Sequence, residues 1–311
     1  MHPSWSILLF TTTAGLAQGL VVALALACLL GAVPHAAFLA AALTAATGLL
    51  VTALAASFFH LGHPRRAWRA ALMWRTSWMS REVIVLPVFI ALVAGWAAAT
   101  LFAAPATITH TLLPLAALVL AIALWYCTAM IYACLRFIQE WAHPLTIVNY
   151  TLLGLSSGLI LAGALAVPGG ESELQAFMTP WALAVTVLAW GTRAQALRRN
   201  AALRPKSTLQ SATGIRSTPL VQKSMGMSAG SFNTREFFHG VRPFVLRRTR
   251  IMFQMLAFAA PLVLVGLASF RGTGGLWLLA VPVQFVGLLA ERWFFFAQAR
   301  HPQNLYYQSV S

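Results

Sequence analysis

Apolar residues run through this chain in long blocks separated by short polar connections. The blocks lie near residues 6–31, 37–59, 83–103, 110–137, 145–167, 177–197, 251–270 and 275–297. Each suits a helix crossing the roughly 30 Å hydrocarbon core of a bilayer, which takes about 20 residues. Trp5, Trp78, Trp141, Trp181 and Trp293 stand at block ends, where an aromatic belt would place them. The pattern predicts an all-α fold: a polytopic integral membrane protein in which residues 1–311 form a single eight-helix transmembrane bundle.

Composition agrees, with 59% hydrophobic and 9% charged residues against about 45–50% and 25% in a soluble domain. The formal charge of +15 does not point to nucleic acid, because the basic residues are confined to a few connections. They crowd the segments near 60–82 and 198–250, precede 138–144 at Arg136, and recur at Arg292 and Arg300. The intervening connections near 32–36, 104–109 and 168–176 have no Lys or Arg. The positive-inside rule then places both termini in the cytoplasm of a bacterial inner membrane, with Arg271 the exception at an external turn. The opening MHPSWS lacks a basic n-region and a small-residue cleavage site, so the first block reads as a retained span. Residues 198–250, rich in Ser, Thr, Gly and Arg, read as a basic cytoplasmic loop. Such a loop either docks an acidic partner or merely sets topology, and charge alone does not choose.

Ionisable groups at membrane depth are costly, so each is a functional candidate. The acids are six glutamates (82, 140, 171, 173, 236 and 291), with no aspartate. The ionisable groups are expected at helix ends, chiefly the cytoplasmic ones: His60, Glu82, Glu140 and Glu291, with Gln254 nearby. The outer halves of the spans offer no proton relay, which disfavours a pump, and the midplane lacks the polar residues and broken helices of a transporter. The histidines fall in loops or at span ends, so no facing pair of axial ligands is predicted and no haem is expected. Cys28, Cys127 and Cys134 form no CxxC, and no metal site is expected.

The connection HLGHPRRAWRAALMWRTSWMSRE, residues 60–82, concentrates the chemistry. His60 ends one span and Glu82 begins the next, which puts both at one depth. Reducing a quinone takes two electrons and two protons, so its site needs a hydrogen-bond donor at a carbonyl oxygen and a proton route to water. A histidine suits the first need and a membrane-edge glutamate the second. A helix cap or interface hydrogen bond would equally account for His60, and His63 reads as an exposed loop residue. Trp68, Trp74 and Trp78 could wall a ring or simply anchor the segment. Arg65, Arg66, Arg69, Arg75 and Arg81 are topology signals first, one of which could pair with Glu82. Arg75 and Tyr132, both expected near the cytoplasmic face, are added as quinone-binding candidates.

FHLGHPRRAWRA followed by SREV, together with MIYACLRFIQEW, resembles the membrane anchor subunit of the dimethyl sulfoxide reductase family of molybdoenzymes. The loop STLQSATGIRSTPLVQKSMGMSAGSFNTREFFHG is similar to anchors coupled to cytoplasmic sulfite oxidation. The 60–82 segment is richer in arginine than in the reductase type. The resemblance implies that His60 and Glu82 take part in quinone binding. It implies a three-subunit enzyme whose molybdopterin catalytic subunit and iron–sulfur subunit sit on the cytoplasmic face. Molybdopterin and Fe–S clusters would then be held only by those partners, and ubiquinone or menaquinone would be the substrate here. The anchor would pass electrons from sulfite to quinone; running in reverse, it would oxidise menaquinol to reduce a sulfoxide. A purely structural anchor remains the reading if His60 and Glu82 lie apart in space.

Overall fold

The computed structural model describes residues 3–59, 61–217, 219–220 and 240–302. His60 and most of the polar loop after residue 217 therefore lie outside the described residues. The architecture is all-α. Among the described residues, eight helices are long and apolar enough to cross a membrane: α1 Trp5–Leu29, α2 Ala36–Phe58, α3 Trp78–Leu101, α4 Ile108–Ala133, α5 Pro144–Gly169, α6 Ser172–Ala201, α7 Pro243–Arg271 and α8 Gly275–Ala297.

Two helices outlast their apolar runs, and in α6 the polar ends suit the helix dipole. α6 starts on Ser172 with Glu173 in its first turn and carries Arg198 and Arg199 in its last, each charge matching the partial charge at its terminus. α7 starts with Pro243 in its first turn, where a missing N–H costs nothing, and the arginine-bearing stretch before residue 251 is thereby helical. A short helix, Leu209–Thr213, with a Thr208 capping box, sits within the segment read as a loop.

α1 is the most enclosed span and packs against α2, α4, α5 and α8. Its seam with α5 is built from glycine. A Cβ on Gly19 would stand 1.9 Å from the Gly154 carbonyl oxygen, and one on Gly158 would stand 1.9 Å from the Gly19 carbonyl carbon. Small residues that let backbones touch are the usual route to tight helix association in lipid, where burial of apolar surface supplies no drive.

Two spans contain a π-turn, and in both a neighbouring side chain takes a carbonyl there. Trp96 Nε1 donates to the Thr109 carbonyl at 2.8 Å in the turn Ile108–Leu112 that opens α4. In α7 the turn is Met255–Ala259, and Gln284 Nε2 donates to the Ala257 carbonyl at 3.3 Å. Gln284 also reaches Ser156 Oγ at 2.9 Å, which lies 2.7 Å from Thr186 Oγ1. One polar knot thus joins α5, α6, α7 and α8, as groups denied water must do.

At one end of the bundle, His35 at the start of α2 meets Glu171 at the start of α6. The carboxylate accepts from the His35 backbone N–H at 3.0 Å and lies 2.8 Å from its Nδ1. The arginine-rich connection is at the opposite end.

Valine at Gly19 or Gly158 forces two backbones apart, so we expect a loss of at least about 3 kcal/mol, the upper part of the overpacking range. Gly48→Ala, where nothing lies within 4 Å of the new Cβ, serves as the control. Thermal unfolding in detergent should show a lower midpoint for both valine variants only; equal midpoints would refute the close-packed seam.

Candidate functional site

The arginine-rich connection forms a 3₁₀ segment, Pro64–Met73, with Pro64 in its first turn. Its large apolar side chains Trp68, Leu72 and Met73 are exposed among arginines, a composition suited to a bilayer surface. Arg81 fastens this segment to α3. Its Nε donates to the Trp74 carbonyl and its Nη2 to the Arg75 carbonyl, both at 2.9 Å, while its guanidinium lies 4.0 Å from the centre of the Trp78 ring. Ser77 caps the helix by accepting from Ser80 N–H. With Arg81 held on the outer side, the next residue along the helix turns inward.

That residue is Glu82. It is 7% exposed and accepts a hydrogen bond from the Thr128 hydroxyl of α4. Arg81 does not pair with it. Among the described residues the carboxylate has no salt-bridge partner, and it faces a cleft between α1, α3, α4, α5 and α8. The cleft holds about 530 Å³ including its open mouth. Apolar side chains such as Phe10, Leu86 and Leu124 make most of its wall, and Trp125, Tyr150 and Arg292 add polar groups. An apolar cleft with a few placed polar atoms is the usual form of a small-molecule site.

Beside the cleft lies a charged group not foreseen from spacing. Arg193 Nε stands 2.6 Å from Glu291 Oε1, and Arg292 Nε stands 2.7 Å from Glu291 Oε2. All three side chains are buried. The expectation that ionisable groups sit at helix ends fails at Arg193, two turns inside α6, because an acid on α8 meets it there. The arginines are also covered by aromatic faces: Arg292 lies 4.1 Å from the Tyr150 ring centre and Arg193 5.7 Å from that of Phe253, a favourable arrangement for a desolvated guanidinium.

A second, smaller cleft of about 330 Å³, including its open mouth, lies on the other side of this group and shares Tyr150 and Arg292 with the first. Glu140, His143 and Arg199 line it. His143 caps α5 by accepting from Leu145 N–H at 3.2 Å. Burial, and then the Arg199 charge, hold its pKa below the usual histidine value, which keeps the ring in the neutral form that can accept.

The structure places the residues singled out in the sequence unevenly. Glu82 lines the cleft. Tyr132 packs behind it, stacked on Tyr150 with ring centres 5.7 Å apart and edge-on to Trp141, Phe295 and Phe296. Arg75 is exposed on the connection, its guanidinium 5.4 Å from the Trp74 ring centre, away from the cleft. His63 is exposed. Of the tryptophans, the cleft takes Trp125 of α4; Trp68 and Trp74 are exposed, and Trp78 meets Tyr126 edge-on. Thr128, Tyr150, Arg193 and Arg292 were missed. The signs available were the charge of Arg193 within an otherwise apolar run and that of Arg292, which reads only as a topology signal. Among the described residues no three His, Cys, Asp or Glu side chains gather as a metal site.

Residues 1–217 match the family model described as DMSO reductase anchor subunit (DmsC). The chain belongs to the DMSO reductase anchor subunit family. It is also 47% identical, over 326 aligned positions that take in the whole of both chains, to the C subunit of the sulfite dehydrogenase of Allochromatium vinosum. As an anchor of this family it is an integral membrane subunit of a larger oxidoreductase, with catalytic and electron-transfer partners. The match takes in α1 to α6, and so the Glu82 cleft apart from its α8 wall.

Removing one member of a buried charge group leaves the others uncompensated, which costs about 3–5 kcal/mol. Glu291→Leu strands two guanidiniums, whereas Arg193→Met leaves the Glu291–Arg292 pair intact. We expect Glu291→Leu to abolish recovery of folded protein from membranes and Arg193→Met to retain much of it, as read by monodisperse yield on gel filtration. The reverse order would show that the three charges are not a unit.

Proposed function

We propose that this anchor reacts with quinone, passing electrons from cytoplasmic sulfite oxidation to the quinone pool. The observation that carries the reading is the buried Glu82 carboxylate, held by Thr128 and facing an apolar cleft at the arginine-rich end of the bundle. Full-length identity to a sulfite dehydrogenase subunit supports the oxidative direction.

The reaction joins two electrons from an iron–sulfur partner and two protons from the cytoplasm to one quinone, giving the quinol. His60, two residues after the end of α2, hydrogen-bonds a carbonyl oxygen. Glu82 relays the two protons from the surface to the quinone, one for each oxygen. Thr128 supports this by orienting the carboxylate, since a relay requires a proton donor within about 3 Å of its acceptor. Tyr132 supports Tyr150 at the cleft wall, and Arg75 holds the connection at the bilayer surface, where quinone enters. The iron–sulfur and molybdopterin subunits dock on this face, with both termini of the anchor on the same side of a bacterial inner membrane. Protons taken up and released there cross no membrane, so the site itself conserves little energy.

The test is sulfite-dependent reduction of a short-chain ubiquinone analogue by the purified three-subunit enzyme. We expect His60→Ala to abolish turnover and Glu82→Gln to lower it about a hundredfold or more, the scale of a lost acid–base group, with assembly intact. Wild-type rates in both variants would reject the site. An enzyme that oxidises menaquinol with a sulfoxide and ignores sulfite would establish the opposite direction.

A further inference from the structure

The cleft is polar at two levels. The first is the Glu82–Thr128 pair at the arginine-rich end. The second lies deeper and consists of groups that the chain leaves unpaired. Among the described residues, Gln18 Nε2 and Trp125 Nε1 are fully enclosed and have no hydrogen-bond partner, although their side chains are only 3% and 4% exposed. Both residues line the cleft.

Their depth follows from helix geometry. Trp125 precedes Thr128 by three residues on α4, so its ring lies about 4.5 Å further from the arginine-rich end. The indole N–H is held in place by α5: a Cβ on Gly154 would come within 2.8 Å of Trp125 Nε1. Gln18 is brought to Trp125 by the glycine seam: its neighbour Gly19 packs on the Gly154 carbonyl, and Gly154 packs on Trp125 Nε1. That rise of about 4.5 Å separates the two levels on α4. That is comparable to the separation of the two para oxygens of a quinone ring.

Enclosed polar groups are normally paired, because leaving them unpaired is costly. An indole N–H can only donate, and the glutamine amide nitrogen likewise. Each therefore calls for an acceptor, and a carbonyl oxygen with two lone pairs can accept from both. Resting on the quinone reading above, we propose that Gln18 and Trp125 form a second hydrogen-bonding station, which binds the quinone oxygen remote from Glu82. The ring then spans the cleft, its near oxygen at the proton-relaying end and its far oxygen on neutral donors. Gln18 and Trp125 are binding residues, and they set which way the ring sits.

The experiment uses the intact three-subunit enzyme with Gln18→Leu, Trp125→Phe and Glu82→Gln variants. Trp125→Phe removes the N–H while keeping an aromatic side chain, and leucine at position 18 adds no unpaired polar group. We expect both deep-site variants to raise KM for a ubiquinone analogue about five- to tenfold, the worth of one hydrogen bond, with a smaller change in kcat. Glu82→Gln should instead act on kcat. Infrared difference spectra with quinone labelled with ¹³C at one carbonyl provide the second readout. Each deep-site variant should shift the band of one carbonyl upward and leave the other in place. Unchanged KM and unchanged bands in both variants, with Glu82→Gln still impaired, would overturn the second station while the quinone site stands. Wild-type turnover in all three would overturn both.

Discussion

The Arg193–Glu291–Arg292 group ties the arginine-rich half of the bundle together. One carboxylate without solvent exposure holds two guanidiniums, so α6 and α8 are bound by charge where lipid offers no hydrophobic drive for association. In that low-dielectric setting the attraction is strong, yet desolvation consumes most of it. The group is therefore better understood as a determinant of register than as a source of net stability. It sets how far α8 enters the bundle, and so where Arg292 meets Tyr150 of α5 at the wall between the two clefts.

The same constraint, that a polar group in a span must be answered by another helix, accounts for the other fixed points. The carbonyls at the two π-turns go to Trp96 and Gln284, and Thr192 donates to Asn149 across α6 and α5 at 2.9 Å. Glycines bring α1 and α5 into backbone contact, which lets Gln18 and Trp125 enclose the same cleft. In the cleft this pairing stays incomplete at Gln18 Nε2 and Trp125 Nε1. An uncharged acceptor with two oxygens, carried in from the membrane, would complete it.

Glu82 owes its position to its neighbour. Arg81 binds two carbonyls of the connection and stacks on Trp78, leaving Glu82 to turn toward α4. The arginines of the connection thus do more than mark a membrane side. One of them builds the corner at which a surface segment becomes a span, and that corner delivers a carboxylate to the interior from a point close to water.

The eight spans, the arginine-rich connection and the place of Glu82 at the start of a span could be read from the sequence, because hydrophobic block length and charge placement are local properties that a bilayer constrains directly. The expected positions of Trp68, Trp74 and Arg75 at a site could not be decided that way, since all three suit a membrane surface as well as a binding wall. Arg193, Tyr150, Gln18 and Trp125 gave little sign of themselves. Each sits in an apolar run whose periodicity is the same whichever face meets lipid, and nothing local says which helix stands opposite. Tertiary packing alone decided that Arg193 meets Glu291, that Tyr132 backs Tyr150, and that α1 and α4 present their polar atoms to one cleft. Pairing between distant helices rests on shape and charge complementarity, which a linear pattern does not contain.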